Sequence, residues 1–373
     1  MFANNMSCET SGSATPVLSL TRTIHPVGQG AFYSESLSSE SSSQPFFTAV
    51  YDCGGKAQCR KTEIGKISGL DILFISHFHD DHISGVKSLL ERYPQANVYI
   101  PGVSHCRFVV DLIGNFLRTS SATSPSIEFM LSCIPALKAP GSPFYPFAGQ
   151  TNGGMTKGQI LAIPLFTVPK SIPVPQKSPV WLYDAYYSEY GTSKEKELIE
   201  KLSEVIPSLK VLLSGKDVYR DFKWYQQLLD EMTAAANNKD GFDNLHKIYN
   251  AVFGHNHNPY SMIVHSHPLP GRDEKQRVDC LFTGDAESMS LSQVLRAIPD
   301  PKPRYVQVPH HGASANHEIN NYSHHPTAFI SVGEKNQYNH PGVDTVAGIL
   351  RKCPDVYVVT EDADTKYWRR FEI

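Results

Sequence analysis

Short apolar runs bounded by Gly, Pro or Asp recur at both ends of the chain and predict strands. At the front they are Leu18–Val27, Phe46–Asp52, Leu70–Ile75 and Asn97–Ile100. At the back they are Ser261–His265, Cys280–Thr283, Tyr305–Val308, Ala328–Val332 and Val356–Thr360. Helix-period patterns fall between several of them, at Ser84–Arg92, Ser288–Ala297 and Asp344–Lys352. Strands alternating with helices in both halves predict a layered α/β architecture.

The middle of the chain breaks this rhythm. Residues 134–180 are rich in Pro, Gly and Ser with little periodicity, and read as irregular loop. Residues 193–253 read as helical, with Ser193 as an N-cap and apolar positions three and four apart from Asp221 onward. The reading is therefore one domain over residues 1–373, with residues 111–253 as an inserted loop and helical segment. The serine-rich stretch 35–43 reads as a flexible loop or hairpin tip.

Composition narrows the class. A hydrophobic fraction of 40% with 19% charged residues fits a globular chain with a core. A net charge of -3 excludes a broad basic surface for nucleic acid and leaves room only for a local basic groove. The seven cysteines include no CxxC pair, so reduced and mostly buried thiols in a cytoplasmic protein are expected. No charged start followed by an apolar segment opens the chain, and no run reaches the roughly 18 apolar residues of a membrane span.

The candidate chemistry begins directly after the run Leu70–Ile75, with His77-x-His79-x-Asp81-His82. In an extended turn His77 and His79 point to one side, while Asp81 and His82 open the following helix. That arrangement offers two ligands to one metal and two to a neighbour. Neutral imidazole with carboxylate suits Zn²⁺, and also Mn²⁺ or Fe²⁺. A polar turn capped by Asp81 explains one of the four residues and leaves three without a reason. Asp285 follows another apolar run and is placed to bridge two metals, or else to cap a helix. His310 and His311 follow a third run, as ligands or as a turn. His340 precedes Pro341, as a residue facing the site or as a turn histidine.

The ordered set resembles the metallo-β-lactamase-fold hydrolases, and within them the soluble hydrolase domain of ComEC-type DNA-uptake proteins. The motifs are HPVGQGAFY at 25–33, AVYDCGG at 49–55, HxHxDH at 77–82 and NPYSMIV at 258–264. FTGD at 282–285, PHHGAS at 309–314, SVGEKNQYNHPG at 331–342 and VVTED at 358–362 complete the order. The resemblance implies a four-layer αββα sandwich with two divalent metals at one edge of two facing sheets. It implies His77 and His79 on the first metal, Asp81 and His82 on the second, and Asp285 between them. One of the His310–His311 pair completes the second site, with His310 preferred because it sits nearer the strand end. Many members of the superfamily supply a further histidine to the first metal. Here the candidates are His255, His257, His265 and His267, with His257 preferred.

The implied reaction is hydrolysis by a hydroxide shared between the metals, with Asp81 orienting it and His340 acting on the substrate. The leading substrate class is a phosphodiester, with DNA included. The alternatives are a small-molecule ester, thioester or lactam, and a non-catalytic metal-binding component. No protein partner is identified by the sequence.

Overall fold

The computed structural model describes residues 18–40, 42, 44–141, 158–164, 170–174, 181–189, 193–214, 221–253, 260–269, 277–299, 302–314, 318–323, 325–336 and 338–373. Strands β1 to β7 are Leu18–Ile24, Phe32–Ser39, Phe47–Cys53, Ile72–Phe74, Asn97–Pro101, Ile160–Ile163 and Lys170–Pro173. Strands β8 to β14 are Trp181–Glu189, Tyr260–Pro268, Cys280–Phe282, Tyr305–Gln307, Thr327–Ser331, Asp355–Val359 and Tyr367–Glu372.

These strands form two mixed sheets of seven, ordered β14-β1-β2-β3-β4-β5-β6 and β13-β12-β11-β10-β9-β8-β7. In each sheet one half is antiparallel and the other parallel. The parallel pairs are β3 to β6 in the first sheet and β10 to β13 in the second. The sheets meet face to face through aromatic side chains. Phe282 of β10 lies against Tyr33 and Tyr51, and Tyr183 of β8 lies against Phe74. Tyr51 also donates its hydroxyl proton to the Met262 carbonyl across the same interface.

Parallel neighbours require crossovers, and these are helical. Helices Ala57–Lys66 and Val86–Arg92 follow β3 and β4; helices Ser288–Ala297 and Val343–Leu350 follow β10 and β12. With both inner faces filled by the opposing sheet, the helices lie outside, giving the αββα layering. On the second sheet, Leu291, Val294, Leu295 and Ile349 bury against Ile263, Leu281, Val306, Ala328 and Ile330. The chain is thus a mixed α/β protein of the kind the metallo-β-lactamase resemblance implies.

Two segments differ from the sequence reading. Residues 35–39 of the serine-rich stretch belong to β2, deep in the first sheet, and are not loop. The polar residues there are held inside: Arg22 of β1 forms a buried ion pair with Glu35, which also accepts from Ser266. Within 134–180, helix Pro125–Lys138 continues past Pro135, and two short strands extend the sheets. The segment 111–253 therefore contributes β6, β7 and β8 as well as helices.

The long helix His105–Thr119 links this segment to the rest of the molecule. Its Arg107 makes a buried ion pair with Glu195 of the helix Ser193–Leu202, and His105 packs against the rings of Trp224 and Tyr225. Ser104 caps it, its Oγ accepting from the Arg107 N–H at 3.3 Å. Ser104→Ala is expected to lower unfolding stability by about 1 kcal/mol, read from a urea titration. Four of the six described cysteines are buried. No helix among the described residues is long and apolar enough to cross a membrane.

Candidate metal centre

In open α/β sheets the loops that leave the carboxyl ends of parallel strands share one edge. Here the loops after β3, β4, β10, β11 and β12 do so, and they carry the candidate residues. Two groups of metal-ligand type form at that edge. His77, His79 and Asp285 make one, and Asp81, His82 and His311 the other; within each group the ligand atoms lie within 4.8 Å of one another.

Asp285 stands between the groups. Its Oδ1 is 3.1 Å from His82 Nε2 and 4.0 Å from His311 Nε2, and its Oδ2 is 3.7 Å from His77 Nε2 and 3.9 Å from His310 Nε2. A tight backbone turn makes this approach possible. Gly284 has φ +55°, and a Cβ there would lie 2.4 Å from both Ser261 Oγ and Ser76 Cβ, so only glycine fits.

The tautomers of three histidines follow from their partners. His311 Nδ1 lies 2.8 Å from the Ser331 carbonyl, which only accepts, so Nδ1 carries the proton. His82 Nδ1 lies 2.7 Å from Asp52 Oδ2 and likewise donates. Ser76 Oγ gives its single proton to Asp52 Oδ2, so it accepts from His77 Nδ1 at 2.9 Å. As neutral rings, all three therefore turn an Nε2 lone pair inward. Among the described residues, His77 Nε2 and His311 Nε2 are buried with no hydrogen-bond partner. Buried lone pairs left this way cost free energy unless a cation fills the space between them. The donor set fits divalent metal ions.

Electrostatics agree with that. Burial holds His77 well below its ordinary range and takes His79 down to about 3, so both stay neutral and free to ligate. At His82 burial works the other way from the carboxylates of Asp285 and Asp52, which prevail and hold the ring up. Burial likewise opposes ionisation of Asp285, but the imidazoles of His82 and His310 keep the carboxyl well below its usual range. The site thus holds concentrated negative charge that imidazolium balances when no metal is bound.

The structure also distributes the other candidates. His311, rather than His310, sits with Asp81 and His82, its Nε2 3.4 Å from Asp81 Oδ2. Both histidines adopt left-handed backbone, φ 50° and 52°, and this sharp turn sends the second ring inward. His310 packs at the rim against His340, ring centroids 5.6 Å apart, and His340 stacks on Tyr338. His255 and His257 lie outside the described residues. His265 and His267 gather with Asp184 in a separate group.

Three further residues contact the centre that the spacing of the motifs did not single out. Asp52, fully buried with φ 54°, accepts from Ser76 N, Ser76 Oγ and His82 Nδ1. Arg118, one helical face along from Asn115, places Nη1 2.7 Å from Asp81 Oδ1 while staying partly exposed. Asp111 brings Oδ1 to 3.9 Å from His79 Nε2 and accepts from the Tyr260 hydroxyl. AVYDCGG offered a signal for Asp52; nothing in the sequence marked the other two, which a helix carries in from the middle segment.

Residues 47–117 match the family model described as Metallo-beta-lactamase superfamily. Over 45 residues the chain is 38% identical to hydroxyacylglutathione hydrolases of Salmonella paratyphi B and Salmonella enteritidis PT4; the match takes in 12% of this chain and 18% of those proteins. Among solved structures, the metallo-beta-lactamase fold protein YhfI from Bacillus subtilis aligns over 95% of this chain and 100% of its own, at 8% identity and a TM-score of 0.42. The Rm3 metallo-beta-lactamase aligns over 91% of this chain and 75% of its own, at 11% identity and a TM-score of 0.29. The stretch that matches the family model contains β3, β4 and the HxHxDH residues.

Proposed function

We propose that this protein is a metal-dependent hydrolase that cleaves phosphodiesters. The observation that carries the hydrolase reading is the set of inward Nε2 lone pairs of His77, His82 and His311 around the central carboxylate of Asp285. In this reading His77, His79 and Asp285 hold one divalent ion, and Asp81, His82, His311 and Asp285 hold the second. Zinc suits the donors best, with manganese or iron as substitutes. Such ions lower the pKa of a water toward about 7 and neutralise charge that develops on a scissile ester.

The chain's own residues supply orientation and selectivity. Asp52, Ser76 and the Ser331 carbonyl fix three imidazoles in the ligating tautomer. Asp81 orients the attacking water. His340, at the rim and half-buried, is brought down to about 4 by burial and the nearby His310 and His311, so it is neutral at working pH. It serves as a hydrogen-bonding group to the substrate. Arg118 beside Asp81 supplies a guanidinium fork at the mouth, the shape that pairs with a phosphate. This group favours an anionic phosphodiester over a neutral lactam. DNA belongs to the same class, bound at a local groove given the net charge of -3.

A second reading is a small-molecule thioesterase, favoured by the short match to hydroxyacylglutathione hydrolase. Metal-loaded protein assayed on bis-p-nitrophenyl phosphate, single- and double-stranded DNA, a thioester and a lactam separates the two. The expected result is cleavage of the phosphodiester, lost on chelation and restored by zinc or manganese. Cleavage of the thioester or lactam alone would overturn the phosphodiester assignment.

A further inference from the structure

A third group of metal-ligand residues lies on the outer face of the second sheet, formed by Asp184 of β8 with His265 and His267 of β9. Asp184 and His265 are directly opposed across the antiparallel pair, and His267 follows two residues on, so all three project from one face. Ser266, between the histidines, points the other way, into the sheet interface with Trp181 and Glu35. The strand rises about 3.3 Å per residue, so the group sits on the order of 13–20 Å along β9 from Ser261, beside the main centre.

One ligand atom from each of the three residues lies within 4.8 Å of the others, the spacing of a single cation site. His267 Nδ1 lies 2.9 Å from the Pro268 carbonyl, which only accepts, so the proton is on Nδ1. Its Nε2 faces Asp184 Oδ2 at 3.1 Å, while Asp184 Oδ1 accepts from Ser171 Oγ at 2.6 Å. His265 is stacked on that ring, with centroids 4.3 Å apart and 21° between the planes. His265 has Asp279 beside its Nε2 at 3.4 Å, and Arg277 neutralises Asp279 from 2.5 Å. Two imidazoles and one carboxylate thus converge. Bonds of about 2.0–2.1 Å to a tetrahedral zinc put ligand atoms roughly 3.3 Å apart, close to the observed His267–Asp184 separation.

We propose that Asp184, His265 and His267 form a separate divalent transition-metal site of the zinc class, with solvent in the remaining position. Bound there, the ion clamps β8 to β9, the strand whose start carries Tyr260 and Ser261 to the main centre.

Zinc content of the full chain, measured by plasma mass spectrometry after equilibration in a zinc buffer, tests this by difference. The His265→Ala/His267→Ala variant is expected to retain one zinc per chain fewer than wild type. His77→Ala, measured alongside, reports loss at the main centre, and the two losses are expected to add in the combined variant. Asp184→Asn keeps the shape of the side chain and is expected to lose the same zinc, which covers the case of a double variant that does not fold. Unchanged zinc content in Asp184→Asn or in the folded double variant would overturn the site and leave a His267–Asp184 ion pair only.

Discussion

Asp81→Ala is expected to lower hydrolysis of bis-p-nitrophenyl phosphate by about a thousandfold or more while the chain stays folded. Asp81 is one of three protein groups around the second proposed ion that Asp285 does not supply, and one carboxylate oxygen is already spent on Arg118. Removing it takes away a ligand and frees the guanidinium that it holds in register. Loss of roughly 4 kcal/mol of metal-dependent stabilisation corresponds to about three decades in rate. The fold is insulated from the change because what anchors this turn is backbone: the Asp81 carbonyl accepts from Ala31 N at 3.1 Å, and Gly54 packs against it. Circular dichroism should therefore match wild type, while kcat/KM falls and the zinc content drops. A folded variant with retained activity would remove Asp81 from the mechanism.

The region most legible in the sequence was the edge where apolar runs end in polar residues. Parallel strands put their carboxyl ends on one side, so His77, His79, Asp81, His82 and Asp285 were readable as neighbours from their positions after the predicted strands alone. The choice within the pair at 310–311 was not readable that way. Distance from the strand end favours His310, whereas the consecutive left-handed residues turn His311 inward, and backbone conformation of that kind leaves no trace in residue spacing. Strand β2 escaped detection for a different reason. Its Ser34, Glu35 and Ser36 look solvated, but Glu35 is neutralised from the neighbouring strand by Arg22, and a buried ion pair erases the apolar alternation that marks a strand. Arg118 and Asp111 reach the centre from a helix in the segment 111–253, a long-range placement that local patterns do not encode.

Asp52→Asn is expected to leave the fold intact and yet weaken binding of the second ion by about 10- to 100-fold, the range for residues that orient a metal ligand. The argument rests on where the amide must point. Asp52 Oδ1 accepts from the Ser76 backbone N–H at 2.7 Å, so the asparagine carbonyl takes that place, since an NH₂ there would oppose the N–H. The amide nitrogen then replaces Oδ2, where Ser76 Oγ and His82 Nδ1 now donate. Facing a donor, His82 can keep the contact only by moving its proton from Nδ1 to Nε2. That nitrogen is the one turned toward Asp285 and the proposed ion, so the lone pair needed for ligation is lost. His77 is affected less: its partner is Ser76 Oγ, which can turn its proton elsewhere and still accept from Nδ1. The substitution should therefore distinguish the two ions. Zinc titration followed by mass spectrometry is expected to show the weaker ion released first, with kcat/KM on the phosphodiester recovering as zinc is raised. Equal affinity for zinc in the variant and in wild type would mean that Asp52 supports the fold without setting the tautomer of His82.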